Sequence, residues 1–191
     1  PDKFDSDSIK TKLGLKGKRV VMFLGTPRAH KGMEELFMAI EKIKDQSIRL
    51  VLIGADPSIQ SYLDKMQSNQ DRVVIFPKIP FKDLPQHLSA ADILVIPQRD
   101  TTDTQGQIPA KLFDAMSMAK PIITTPLSDI EEVLGGYGYL IDPSNPDQLA
   151  KTIEYIFANP EEARLKGLNA RKRCQELYDI KVLKKELNLQ I

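Results

Sequence analysis

Two kinds of hydrophobic spacing alternate along the chain. Short continuous runs, RVVMFLG (19–25), RLVLIGA (49–55), RVVIFP (72–77), DILVIP (92–97), KPIITT (120–125) and YGYLI (137–141), hold apolar side chains at neighbouring positions. Continuous apolarity of this length predicts strands covered on both faces. Between the first two runs, Met33, Leu36, Phe37, Ile40 and Ile43 step by three or four, which puts them on one face of a helix. Shorter patterns of the same kind predict helices over 57–67, 82–90, 110–118 and 128–134. Regular alternation of strand and helix predicts an α/β fold: a Rossmann-like, doubly wound parallel sheet of about six strands with right-handed crossovers. After residue 145 the spacing is helical only. NPDQLAKTIEYIFAN has Leu149, Ile153 and Ile156 on one face, and PEEARLKGLNARKRCQELYD opens with a proline and two glutamates, which suit the positive end of a helix.

At 191 residues the chain has room for one domain with helices on both faces of its sheet. Residues 1–18 read as a polar linker remnant leading to the first strand, and 19–191 as the domain itself. No signal-peptide pattern opens the chain, and the polar start reads as cut from something longer. Lysine and arginine number 27 against 26 aspartate and glutamate, so there is no overall basic field to mark a nucleic-acid partner. Any anion site must be local. One cysteine, Cys174, excludes an internal disulfide framework and a cysteine-rich metal site, and suits a reducing compartment. With two histidines as well, no metal site is predicted. No run reaches the length of a membrane span. The basic residues Arg164, Lys166, Arg171, Lys172 and Arg173 read as a solvated helix face, and Cys174 as a half-buried packing residue.

Ligands of doubly wound sheets lie outside the carboxyl ends of the strands. There GTPRAHKG (25–32) places Arg28 and Lys31 in the turn between the first strand and its helix. Two cations beside a helix amino end suit a diphosphate, whose oxygens match a guanidinium fork and an ammonium. The second segment is TTDTQGQIPAKLFDAMSMAKPIITT (101–125). A helix opening near Pro109 exposes the amides of Ala110 and Lys111, the Lys111 side chain adds a third positive charge, and Asp114 can accept from vicinal hydroxyls such as those of a ribose. His30 and His87 read as surface residues.

From about residue 2 to 179 the chain resembles the C-terminal, donor-binding domain of family-four retaining glycosyltransferases of the GT-B fold. Gly25, Lys31 and Gly32 match the family's glycine and Lys-Gly, while Thr26 stands where the family has arginine, so Arg28 is the substitute two positions on. FDAMSMAKPIITT resembles the family's helix, with Asp114 at its second glutamate; the first falls on Gly106, which has no side chain to offer a sugar. The resemblance implies that Arg28 and Lys31 stabilise the leaving diphosphate, and that Gly25, Thr26, Gln107, Ile108, Ala110 and Lys111 line its site. It further implies that Lys78 and Ile79 meet the base, and that Asp114 holds the ribose. Gln105, Gln107 or Asp103 would have to replace the missing glutamate.

The same resemblance implies a nucleotide-diphosphate sugar as donor, a hexosyl group passed to a saccharide or lipid-linked acceptor, and neither resident cofactor nor metal. It also implies a missing N-terminal acceptor domain, without which the fragment is inactive in transfer. A cytoplasmic setting follows, with peripheral contact at the inner face of the membrane as an option for the full enzyme. Two other readings stay open. A catalytically decayed nucleotide-binding or regulatory module would explain Gly106. A nicotinamide-dependent enzyme shares the sheet but lacks the Gly-x-Gly-x-x-Gly turn.

Overall fold

Runs that are apolar on both pleat faces can be buried only between two helical layers. The computed structural model describes residues 3–186 and arranges them in this way; residues 1, 2 and 187–191, the outer ends of the two predicted segments, lie outside the described residues. In chain order the elements are α1 (Ser6–Lys12), β1 (Arg19–Leu24), α2 (Met33–Lys42), β2 (Ile48–Ile53), α3 (Gln60–Leu63), β3 (Val73–Phe76), α4 (Leu84–Ser89), β4 (Ile93–Ile96), α5 (Ala110–Ser117), β5 (Ile122–Thr124), α6 (Ile130–Leu134), β6 (Tyr139–Leu140), α7 (Pro146–Ala158), α8 (Pro160–Leu177) and α9 (Ile180–Glu186). The six strands form one parallel sheet in the order β3-β2-β1-β4-β5-β6. Chain direction across the sheet reverses between β1 and β4, and the crevice at that switch point is where such sheets hold ligands.

Strand β1 pairs along its whole length with β2, from Arg19↔Ile48 to Leu24↔Ile53, and joins β4 through Val21↔Ile93 and Met22↔Leu94. Its side chains alternate between the two layers. Val20 and Met22 pack with Ile9, Leu88, Leu112, Met116 and Ile130, whereas Val21 and Phe23 pack with Leu36, Ile40, Leu149 and Ile153. This two-sided burial is what the unbroken apolar runs required.

Several expectations need amending. The polar approach over residues 3–18 carries α1, capped by the Asp5 side chain, with Ile9 and Leu15 buried in the core. Here the sequence has four apolar residues, Phe4, Ile9, Leu13 and Leu15, in a charged stretch, and only Ile9 and Leu13 stand at helical spacing. The helix expected over 57–67 shrinks to a turn at Pro57–Ile59 and the four-residue α3. Pro109 is the residue before α5 and not part of its first turn. The basic face of α8 is not wholly solvated. Arg173 donates to the carbonyls of Val133 and Glu132, both at 2.9 Å, in the space a side chain at Gly135 would need, and Lys166 lies 4.6 Å from the Tyr139 ring centroid. Cys174 is buried, its Sγ 3.6 Å from Ser117 Oγ. Among the described residues no helix is long and apolar enough to cross a membrane.

Candidate functional site

At the switch point, β1 ends in Gly25, whose φ of 122° is open only to glycine, and its amide donates to the Ile53 carbonyl at 2.8 Å. The chain then turns through Thr26–Lys31 to Gly32, at φ 70°, where α2 begins. A Cβ on Gly32 would lie 1.7 Å from the Pro97 carbonyl oxygen. The loop after β1 is thus seated directly on the loop after β4. Two further ties hold them: the Arg99 amide donates to the His30 carbonyl at 2.9 Å, and the Arg99 guanidinium reaches Glu35 at 2.6 Å and Glu34 at 2.9 Å. Within the second loop, the buried Thr104 hydroxyl donates to the Arg99 carbonyl at 2.6 Å and accepts from the Thr101 amide.

Lys31 and Lys111 converge on Gly25. A Cβ built there would lie 3.6 Å from Lys111 Nζ and 4.0 Å from Lys31 Nζ. Lys31 donates to the Thr26 carbonyl at 3.2 Å, and Lys111 to the Leu24 carbonyl at 2.9 Å, with its ammonium 4.3 Å from the Phe23 ring centroid. Burial, reinforced by the charge of Lys31, pushes the Lys111 amine down to about 7. Burial and then Arg28 lower that of Lys31. Lys31 and Lys111 repel one another, and neither forms an ion pair among the described residues. Negative charge placed there removes the conflict. Helix α5 starts beside them at Ala110 with no side chain capping it, so its first amides are also open to an acceptor.

Arg28 sits in the same turn but is half-exposed and turned toward β2, where it pairs with Asp56 at 3.1 Å and approaches Ser58 Oγ at 3.4 Å. Asp114, one turn into α5, has no side-chain partner among the described residues, and burial raises its pKa. It shares a narrow crevice with Lys111 beside Leu24 and Ile96. Gly25, Thr26, Lys78 and Ile79 line a groove of about 300 Å³ together with Gly54 and Phe81. Sequence reasoning missed Phe81. Its ring is 81% exposed at that groove, and the only signal was an aromatic between two prolines and lysines in KIPFKDLP.

Other predicted positions stand apart. Gln107 is exposed and makes no side-chain bond to this group, while Ile108 packs partly against the core. Gly106 has φ 70° and open space where a Cβ would be. Asp103 lies 3.6 Å from His30 Nδ1, and Gln105 donates to Asp100 at 2.9 Å. Among the described residues no three His, Cys, Asp or Glu side chains gather closely enough to hold a metal ion.

The family model for glycosyl transferases group 1 matches residues 18–159. The chain belongs to that family. Spore coat protein SA of Bacillus subtilis is 26% identical over 185 residues, covering 90% of this chain and 48% of its own length. Among solved structures, HepE from Anabaena, in complex with UDP and glucose, superposes with a TM-score of 0.82 at 19% identity, over 96% of this chain and 50% of that one. The C-terminal domain of a glycosyl transferase group 1 protein from Francisella tularensis gives 0.77 at 18% identity, covering 92% of this chain and 94% of that domain. The chain spans about half the length of the curated relatives it matches. As a member of glycosyl transferases group 1, it presents its paired lysines at the end of β1, beside a groove lined by the ends of β1 and β2 and the segment after β3.

Proposed function

We propose that this chain is the donor-binding half of a retaining glycosyltransferase that takes a nucleotide-diphosphate sugar. One observation carries the reading: Lys31 and Lys111 flank Gly25 at the point where the groove of Lys78, Ile79 and Phe81 ends. In this reading a base lies in the groove, a ribose at Asp114 and a diphosphate between the lysines, with Leu24 lining both the groove and the Asp114 crevice. Breaking the bond from the anomeric carbon to the diphosphate leaves negative charge on the leaving oxygens. Lys31, Lys111 and the first amides of α5 are fixed where that charge would develop, which lowers the barrier without reorganisation. Loss of one such contact costs on the order of 3 kcal/mol by analogy with a single oxyanion donor. Arg28 would join by exchanging Asp56 for phosphate. In this scheme the residues of the chain supply the leaving-group charge, with no resident cofactor, and a second domain supplies the acceptor and the opposite wall of the cleft.

Titration of the chain with UDP, GDP and NAD tests the reading. Either diphosphate should bind, Lys31→Ala should weaken it at least tenfold without loss of folding, and NAD should bind no better than AMP. Undiminished diphosphate affinity in Lys31→Ala would show that the turn after β1 does not hold the ligand.

A further inference from the structure

The opposite rim of the sheet, where the strands begin, holds a cavity of about 490 Å³. It lies at the far end of β1 from Gly25, roughly 20 Å away along the strand at about 3.3 Å per residue. Its floor is made by the turns that enter β1, β4 and β5. One wall is the end of α7 and the start of α8.

Five cations line it, Lys10, Lys18, Arg19, Lys120 and Arg164, against a single carboxylate, Asp92. That carboxylate is already committed. Both its oxygens accept from Lys10 Nζ, at 2.8 and 2.7 Å, and one also accepts from the Val20 amide at 2.6 Å. Arg19 and Arg164 make solvent-exposed pairs with Asp45 and Glu161, which exchange readily for another anion. Lys120 has no such partner. It donates to the Ser89 carbonyl at 2.8 Å, and burial lowers its pKa in spite of Asp92 nearby. Lys18, at the rim, has no side-chain partner among the described residues. The 18-residue α8 begins in the same wall, its dipole already met by Glu161 and Glu162 in the first turn, so the positive character of the cavity comes from the side chains. The rest of the lining is apolar, with Pro121, Ile156, Phe157 and Ala163 beside the charges.

A concave surface with two cations outside any ion pair among the described residues, Lys18 and Lys120, two more in exposed pairs, and apolar side chains beside them selects a compact anion attached to an apolar body. We propose that this cavity is a second ligand site, for a small phosphate ester carrying an apolar group, separate from the crevice at Gly25. The inference does not depend on the function proposed for that crevice.

Phenyl phosphate is a suitable probe, followed by amide chemical shifts of the chain. Binding should perturb residues around Lys18, Arg19, Lys120 and Arg164 and leave Gly25–Lys31 unmoved. The double variant Lys18→Ala/Arg164→Ala should weaken phenyl phosphate at least tenfold, while UDP binding at the other rim is unchanged. Lys18→Glu, at a rim position whose side chain has no partner, provides a second variant should the first fold poorly. Inorganic phosphate should bind at least fivefold more weakly than phenyl phosphate, because it leaves the half-buried Phe157 and Pro121 uncovered. Shifts confined to Gly25–Lys31 and Lys111, or an affinity insensitive to both variants, would overturn the proposal. So would capture of the chain by phosphatidylcholine vesicles containing phosphatidic acid when phenyl phosphate fails to bind, since the rim would then be meeting a membrane surface.

Discussion

Lys111 is held in a conflict that either loss of its proton or an anionic ligand relieves. Its amine, lowered to about 7 by burial and by Lys31, releases a proton in the folded chain at a pH where the unfolded chain still holds one. Between about 7 and the ordinary lysine value the unfolded state therefore binds more protons, so the penalty for burying this ammonium is full below 7 and fades as pH rises. Ligand binding has the opposite dependence. A diphosphate favours the charged amine, so UDP affinity should fall as pH rises from 7 to 9, a range in which the terminal phosphate, with a pKa of about 6, is already ionised. Calorimetry at pH 8 in buffers of different ionisation heat should record proton uptake on binding, and Lys111→Arg, charged throughout, should abolish both the uptake and most of the pH slope. Phe81 gives a second test at this scale. If its exposed ring carries the base, Phe81→Ala should cost about 1 kcal/mol, some fivefold in UDP affinity, and leave inorganic pyrophosphate unaffected. Equal losses for both ligands would remove Phe81 from the base subsite.

The elements are positioned by a few contacts that leave little trace in composition. The first turn of α2 can stand against Pro97 only because Gly32 has no Cβ and accepts φ 70°. Gly32→Ala should therefore destabilise the chain by several kcal/mol, on the order of 3, as read by denaturant unfolding, and should disturb Lys31 before any other part of the site. Ala119 shows the reverse case. It follows α5 at φ 55°, the left-handed position that usually falls to glycine, so Ala119→Gly should raise stability by about 1 kcal/mol, and an unchanged unfolding midpoint would mean the strain is relaxed elsewhere. Strands and the longer helices were legible because burial on one or two faces dictates their periodicity; Met33, Leu36 and Ile40 face the core as their spacing requires. Arg72 was not legible. Charged and placed at the head of a predicted strand, it is fully buried, with its guanidinium donating to the carbonyls of Ile40, Ile43, Asp45 and Ile48, from the last turn of α2 to the start of β2. No spacing rule announces four backbone acceptors brought together by tertiary packing. The same division holds around Gly25: the place of Lys31 and Asp114 beside the turn after β1 and the start of α5 could be read from the chain, whereas the diversion of Arg28 to Asp56 depends on a loop from another strand.

At the scale of the whole molecule, one sheet separates two hydrophobic layers, and β1 contributes to both. A ligand held at the end of β1, between the loops after β1 and β4, touches the strand from which both layers are built. Binding there should stabilise the entire domain and not a local segment. A ligand at a hundred times its dissociation constant adds about 2.7 kcal/mol to the folded state. For a domain of this size each kcal/mol moves the melting temperature by about 2–4 °C, so saturating UDP should raise it by roughly 5–10 °C. The shift should come as displacement of one cooperative transition, since neither layer can unfold while the strand they share stays in place. Lys31→Ala should melt at nearly the same temperature as the parent chain without ligand, because its ammonium now bonds only one carbonyl, and should show little shift at the same UDP concentration. Scanning calorimetry separates the alternatives. A second transition that ignores UDP would mean that the layer of α2 and α7 folds independently of the crevice, and an equal shift in Lys31→Ala would move the ligand away from Gly25.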